Sequence, residues 1–399
     1  MEKAQQKQRR LHFEYGEDAM MNLVKRQTAV NQETMRAARL HARGGKFQVD
    51  DVPMPKLRDT DVLVQVKATG VVPNLPNVIE HFATWFPFLP LAELPAIYGL
   101  DSAGVVVAVG DRVRSGVQLG DRVYVNPGLS CGSCAACRAG DDVNCEAYTF
   151  MGYFGFGPGS VKLFEDYPYG GFGEYLTAPV SNLVKLPNKV SFEQAARFGY
   201  IGTAYSGLRK AKLEAGQTVM VDGGTGTLGV GAVVCALAMG ASKIFATGRN
   251  AALLARLKAM APDRIQTLVS GNGVVDTIRQ RTDGLGVHVV IQCLGAQAPA
   301  DAVVESIKAL RRGGIYVNTG GVFDPLPINS VDLMTHQKSI VGSLWFTTGE
   351  AQAMADMAEA GVLNLDEFEH QRFGIDAVGE ALDALQCRSG GFSNIVVVH

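Results

Sequence analysis

A chain of 399 residues exceeds the size at which a single hydrophobic core stops growing, so two domains are expected. Hydrophobic residues at 47% fit a globular protein, and a net charge of −2 argues against a broad surface for nucleic acid or a membrane. No apolar run reaches transmembrane length and the charged N-terminus lacks an apolar h-region, so a cytoplasmic protein is expected.

Residues 1–34 are polar and charged, with scattered apolar side chains such as Leu11, Phe13, Met20, Met21, Leu23 and Val24. They read as an N-terminal extension, either a partly ordered arm or one packed on the body or on a second subunit. From Met35 the text turns β-rich. Residues 62–67 alternate, with Val64 and Val66 on one face and Gln65 and Lys67 on the other; 103–109 and 121–125 follow between Gly and Pro. Many short strands and few helices predict a partly closed barrel over 35–190. Within it, Cys131, Cys134, Cys137 and Cys145 form C-x2-C-x2-C-x7-C. Thiolates this close can converge on one tetrahedral Zn²⁺ with no open position, the mark of a structural site. An iron–sulfur cluster or reactive thiols are the alternatives. Cys235, Cys293 and Cys387 stand in apolar patterns and read as buried filler.

Past Ser191, helical segments alternate with apolar strands at 219–221, 244–246, 289–293 and 315–318. That alternation predicts an α/β, doubly wound parallel sheet over 191–340, with 341–399 returning to the first domain through a strand at 394–398. Its most informative stretch is 218–231, TVMVDGGTGTLGVG. A β-branched run enters Gly224-x-Gly226-x-x-Gly229, a helix follows from Val230 to about Met239, and a second strand comes at 243–247. This is the turn that sets a pyrophosphate on a helix N-terminus. An NAD reader carries Asp or Glu at the end of the second strand; here Ala246-Thr247-Gly248-Arg249-Asn250 offers none. Gly248 leaves room for a 2′-phosphate and Arg249 supplies a guanidinium fork, so NADP(H) is expected. A solvated arginine in a βα turn is the bland alternative.

These features resemble the medium-chain, zinc-type alcohol dehydrogenases, a family that includes quinone and enoyl reductases. The resemblance runs from about Met35 to His399 and rests on 68–71 (ATGV), 99–104 (GLDSAG), the cysteine lobe, Gly170-Gly171 and the cofactor loop. It implies a GroES-like, partly open β-barrel catalytic domain built from both chain ends, a Rossmann domain between them and a substrate cleft at their junction. It also implies one structural Zn²⁺, a small-molecule substrate, and a homodimer or homotetramer. Implied cofactor contacts are Thr203, Gly224, Thr225, Gly226, Thr227, Leu228, Gly229, Gly248, Arg249, Asn250, Cys293, Leu294 and Thr319.

The chain departs from the family at its catalytic zinc. Val72 stands at the first ligand position, Leu100 replaces the histidine of Gly-His-Glu, and Gly199 falls where the third ligand, a cysteine, is expected. Asn74 and Asn77 replace the usual serine and histidine of the proton relay. Aliphatic side chains cannot coordinate Zn²⁺, and Asp101 alone does not make a site. The structural zinc is therefore expected to be kept and the catalytic zinc lost. Reduction of an activated C=C, in an enone or quinone, needs less local charge stabilisation than alkoxide chemistry. An NADP(H)-dependent oxidoreductase of that type is expected, with Asn74, Tyr200 and Asp101 as catalytic candidates. An alcohol dehydrogenase or carbonyl reductase using Tyr200 or Tyr205 as a non-metal donor is the alternative. A catalytically silent cofactor-binding protein is the third. Two aromatic stretches, 81–88 and 150–175, read either as core or subunit contacts or as walls for an apolar or aromatic substrate. His81 reads as structural or exposed, with a proton-transfer role as the alternative, and His288 has no assignable family role.

Overall fold

The computed structural model describes residues 32–114 and 116–399, so the reading of the first 31 residues lies outside it. The chain begins with an antiparallel pair, Thr34–Leu40 on Phe47–Pro53. A seven-stranded sheet follows in the order Leu183–Lys185, Arg122–Val125, Asp101–Val109, Asp61–Gly70, Ser393–Val398, Glu369–Gly374, with Tyr175–Pro179 paired to Asp61–Gly70. The central strand Asp61–Gly70 alternates as its sequence implies: Val62, Val64 and Val66 enter one apolar cluster while Leu63 enters another. The last strand pairs antiparallel with it, Val396 opposite Gly70, so the C-terminus closes the first domain's sheet. Strand Glu369–Gly374 (EHQRFG) carries no apolar alternation; it forms because it adds in parallel to an already buried strand at the sheet edge.

The second sheet has six parallel strands in the order Ile265–Val269, Lys243–Gly248, Thr218–Asp222, Val287–Gln292, Leu310–Asn318, Ser339–Gly342. This is the doubly wound order, and its crevice opens beyond the C-terminal ends of the central strands. Both edge strands escaped the sequence reading. Each is short, and their half-exposed patterns (IQTLV, SIVG) lack the apolar run of the central strands. The sheet therefore continues to Gly342, two residues beyond the expected limit at 340.

Helix Phe198–Lys210 joins the two domains. Its buried face packs on helix Thr227–Ala238 of the nucleotide fold, and its N-terminal turn faces the first domain's sheet. Among the described residues, no helix is long and apolar enough to cross a membrane.

Candidate active site

The glycine loop has the expected geometry. Strand Thr218–Asp222 ends, and helix Thr227–Ala238 starts on Gly226 as N-cap. A Cβ on Gly229 would lie 2.2 Å from the Gly223 carbonyl oxygen, so only glycine lets the helix sit this close to the turn. The helix N-terminus aims backbone N–H groups at the crevice, and the buried Thr227 hydroxyl has no partner among the described residues. These features fit a dinucleotide pyrophosphate. A segment that sequence reasoning overlooked completes the cradle. Gly391 N–H donates to the Thr225 carbonyl at 2.9 Å, and a Cβ on Gly391 would lie 2.1 Å from the Gly226 carbonyl oxygen. The Gly390-Gly391 pair ahead of the last strand was the available signal.

At the second strand end, Thr247 Oγ1 donates to Asp222 at 2.8 Å and accepts from Gly223 N–H. Gly248 is buried, and Arg249 is exposed beyond it. Asn250 is the N-cap of helix Ala251–Met260, its Oδ1 accepting from Ala252 and Leu253 N–H, so that oxygen is spent on the helix. Along the neighbouring strand ends, Thr319 Oγ1 donates to the Gln292 carbonyl at 2.6 Å, with the half-buried Cys293 thiol beside it at 3.9 Å. Leu294 packs against Gly223. Thr203 is buried and its hydroxyl donates to the Gly199 carbonyl at 2.8 Å, within its own helix. Leu228 is half-buried at the first helical turn.

Asp101 lies at the centre of the candidate reaction end. Val72 and Leu100 are buried apolar side chains. The Asp101 carboxylate lies over Gly199, its oxygens 2.3 and 2.4 Å from where a Cβ would be. It therefore occupies the space a cysteine side chain at 199 would need. Tyr124 Oη donates to it at 2.8 Å, and the Gly199 backbone lies close enough to favour its charged form. Burial pushes the Asp101 carboxyl up to about 7, against the pull of Tyr124, Arg197 and Gly199. Arg197 is buried and charged; its guanidinium donates to the carbonyls of Gly391 (2.6 Å), Ser393 (3.1 Å) and Thr227 (3.3 Å). Burial lowers it to about 10, which leaves it protonated at neutral pH.

Tyr200 is half-buried beside this pair, its ring centroid 5.6 Å from the Arg197 guanidinium, and the Asn74 backbone lies near its phenol oxygen. Burial pushes that phenol up to about 12 and keeps its proton on. Two of the residues singled out from sequence thus meet in one place. Asn74 caps helix Leu75–Glu80 and its Oδ1 accepts from Asn77 Nδ2 at 3.0 Å. Tyr205 points elsewhere, buried beneath the Arg209 guanidinium. Neither Tyr124 nor Arg197 was foreseen, because nothing local marks a residue whose partners lie 23 and 194 positions away.

Other expectations are resolved by burial. Tyr153, Tyr167 and Phe172 are buried, and Tyr167 Oη donates to Asp61, so much of 150–175 is core. His81 is exposed and stacks on Trp85 at 4.8 Å. His288 Nδ1 accepts from Thr218 N–H between two strands. Cys235 is buried as expected, whereas Cys387 is exposed, because its helix has ended and the chain turns outward before Gly390.

The four lobe cysteines converge, all four Sγ within 4.8 Å of one another. The Cys134–Cys137 and Cys131–Cys137 separations, 3.6 and 4.0 Å, match thiolates about 2.3 Å from a shared Zn²⁺. Backbone N–H groups of Cys131, Cys134 and Ala147 point at cysteine sulfurs, as they do around thiolates. This donor set fits a closed structural zinc. Elemental analysis should find about one zinc per chain, and Cys134→Ser should release it and lower the melting temperature by several degrees. Two zincs per chain would contradict the account of the reaction end.

Comparison with known proteins identifies the family. The alcohol dehydrogenase GroES-like domain matches residues 58–188 and the zinc-binding dehydrogenase domain matches 227–360. The probable D-xylulose reductase A of Aspergillus clavatus is 31% identical over 81% of this chain and 86% of its own. The chain belongs to the zinc-type alcohol dehydrogenase family. Among solved structures, AibC superposes with a TM-score of 0.79 at 26% identity, covering 93% of this chain and 97% of that one. An NAD-dependent alcohol dehydrogenase gives 0.75 at 29% identity, covering 92% and 100%. This member of the zinc-type alcohol dehydrogenases is an oxidoreductase acting on small molecules, with a GroES-like domain and a Rossmann domain.

Proposed function

We propose that this protein is an NADP(H)-dependent reductase of activated C=C bonds, in enones or quinones, that works without a metal at the reacting oxygen. The observation that carries this reading is the Asp101 carboxylate lying over Gly199, with buried apolar Val72 and Leu100 at the other two positions where the resemblance places zinc ligands. When bound, NADPH supplies the hydride. The chain's own groups do the rest. The glycine loop and the Thr227 helix end hold the pyrophosphate, and Arg249 holds the 2′-phosphate. Tyr200, close to the Asn74 backbone, donates a hydrogen bond to the substrate oxygen, where charge collects as hydride reaches the β-carbon. A proton from Tyr200, restored from solvent, or from water directly then completes the saturated product.

Protonated Asp101 favours this chemistry, because a second anion beside the developing charge opposes it. The rate of reduction should therefore fall as pH rises through about 7, where Asp101 loses its proton. Asp101→Asn should flatten that profile. Tyr200→Phe should lower kcat on the order of a hundredfold at every pH, with little change in NADPH affinity. Activity should persist through short incubation with chelators, since the cysteine-bound zinc lies outside the reaction.

The second reading is carbonyl reduction with Tyr200 as proton donor; the name D-xylulose reductase, carried by the relative, favours it. NADPH oxidation should be followed over enones, quinones, ketoses and aldehydes. Turnover confined to ketoses and aldehydes would select the second reading. Turnover on none would leave a silent cofactor-binding protein.

A further inference from the structure

Three aromatic rings at the mouth between the domains are left exposed by the packing around them. Trp85 and Phe88 of the first domain are 40% and 72% exposed, and Phe323 of the second is 50% exposed. Phe323 nevertheless touches the opposite domain, its ring centroid 5.2 Å from Trp85 and 5.5 Å from Phe86. Both sides are held at the root. Phe82 is buried against Phe154 at 5.0 Å and packs on Phe86 at 5.0 Å, which anchors the Trp85–Phe88 side. The loop carrying Phe323 starts at Thr319. There Gly320 N–H donates to Gln292 Oε1 at 2.8 Å and Gly321 N–H donates to the Leu294 carbonyl at 3.1 Å. That root is the strand end where the dinucleotide crosses the sheet. Asp324 follows Phe323 directly in the chain, and on the other side Glu80 lies 3.8 Å from His81.

Rings that were merely core would be covered, and rings that were merely surface would not meet across a cleft. Phe323 meets Trp85 edge-on and Phe86 at a tilt, His81 stacks on one face of Trp85, and the exposed parts of the Trp85 and Phe323 rings offer apolar surface to a flat ligand. We propose that Phe323 is a specificity-determining residue. With Trp85 and Phe86 it grips the ring of a flat aromatic substrate across the domain cleft. This rests on the reading that the same cleft carries out hydride transfer. It adds a residue from the cofactor domain, on a loop whose sequence (TGGVFDP) gave no sign of it, and it narrows the substrate to one with an aromatic ring.

The test uses the full chain loaded with NADP⁺ and two ketones of equal length, 4-phenylbutan-2-one and 4-cyclohexylbutan-2-one. Neither carries a C=C bond conjugated to its carbonyl, so binding is read by calorimetry without enone turnover. Wild type should favour the phenyl ketone about tenfold, and Phe323→Ala should erase that preference while NADP⁺ affinity stays unchanged. Trp85→Ala, on the other domain, should erase it too, and Phe323→Tyr should keep it. Equal binding of the two ketones by wild type would overturn the proposal, as would equal weakening of both in Phe323→Ala. A change in sedimenting mass in Phe323→Ala would assign the patch to a second copy of the chain and also overturn it. Kinetics with the matching phenyl and cyclohexyl enones separates the two readings. Ring-selective binding with no enone reduced would sink the activity and leave the grip standing; enone reduction with no ring preference would do the reverse.

Discussion

Arg249→Ala should weaken NADPH about tenfold to a hundredfold and leave NADH nearly unchanged, because a hydrogen bond to a charged group contributes about 1.5–3 kcal/mol. Arg249 is exposed directly after the strand whose end would receive the adenosine ribose of a bound dinucleotide, and no carboxylate stands at residues 246–250 to take a ribose hydroxyl. Asn250 caps the next helix and Thr247 is bonded to Asp222, so neither side chain replaces the arginine. The structure refines the reverse experiment. A Cβ on Gly248 would lie 2.6 Å from Thr225 Cγ2 and 2.8 Å from its Oγ1, so Gly248→Asp alone should harm both cofactors. Pairing it with Thr225→Gly should clear the space and shift preference toward NADH. Titrating the wild type and the variants with each cofactor decides the matter. Equal weakening of NADH and NADPH in Arg249→Ala would mean that the side chain supports the loop in general. A wild type that prefers NADH would remove the assignment.

Arg197→Met should be the most destabilising substitution near the site. Arg197 is 4% exposed and donates to three carbonyls drawn from the glycine-loop helix and the C-terminal return, Thr227, Gly391 and Ser393. Methionine fills much of the volume but leaves these acceptors without that donor and removes the cation facing Asp101. Breaking such a buried charged network costs about 3–5 kcal/mol, a fall of about 4–6 °C in melting temperature for a chain of this size. Arg197→Lys should recover little, since an ammonium cannot reproduce the planar fork over three oxygens. Among the molecules that stay folded, the inflection assigned to Asp101 should move to higher pH, because the favourable cation is gone. A melting temperature within two or three degrees of wild type would mean that water satisfies those carbonyls.

Much of the nucleotide fold is legible in the linear text because its signals are local. A β-branched run, three glycines at fixed offsets and an apolar helix lie within about twenty residues, and the chain can form them only one way. The cysteine lobe is legible for the same reason, since short spacing already limits how far apart the sulfurs can lie. The absence of metal donors at Val72, Leu100 and Gly199 could also be read in place, because these side chains carry none whatever surrounds them. The short edge strands are not local in this sense; Glu369–Gly374 exists because Ser393–Val398 offers it a ladder of hydrogen bonds. The same holds for what fills the altered site. Asp101 gains its character from Tyr124, Arg197 and Gly199, Gly391 reaches the phosphate loop from the far end of the chain, and Phe323 meets Trp85 only across the closed cleft. Burial and pairing between distant segments set those properties, and neither is a feature of any short stretch of sequence.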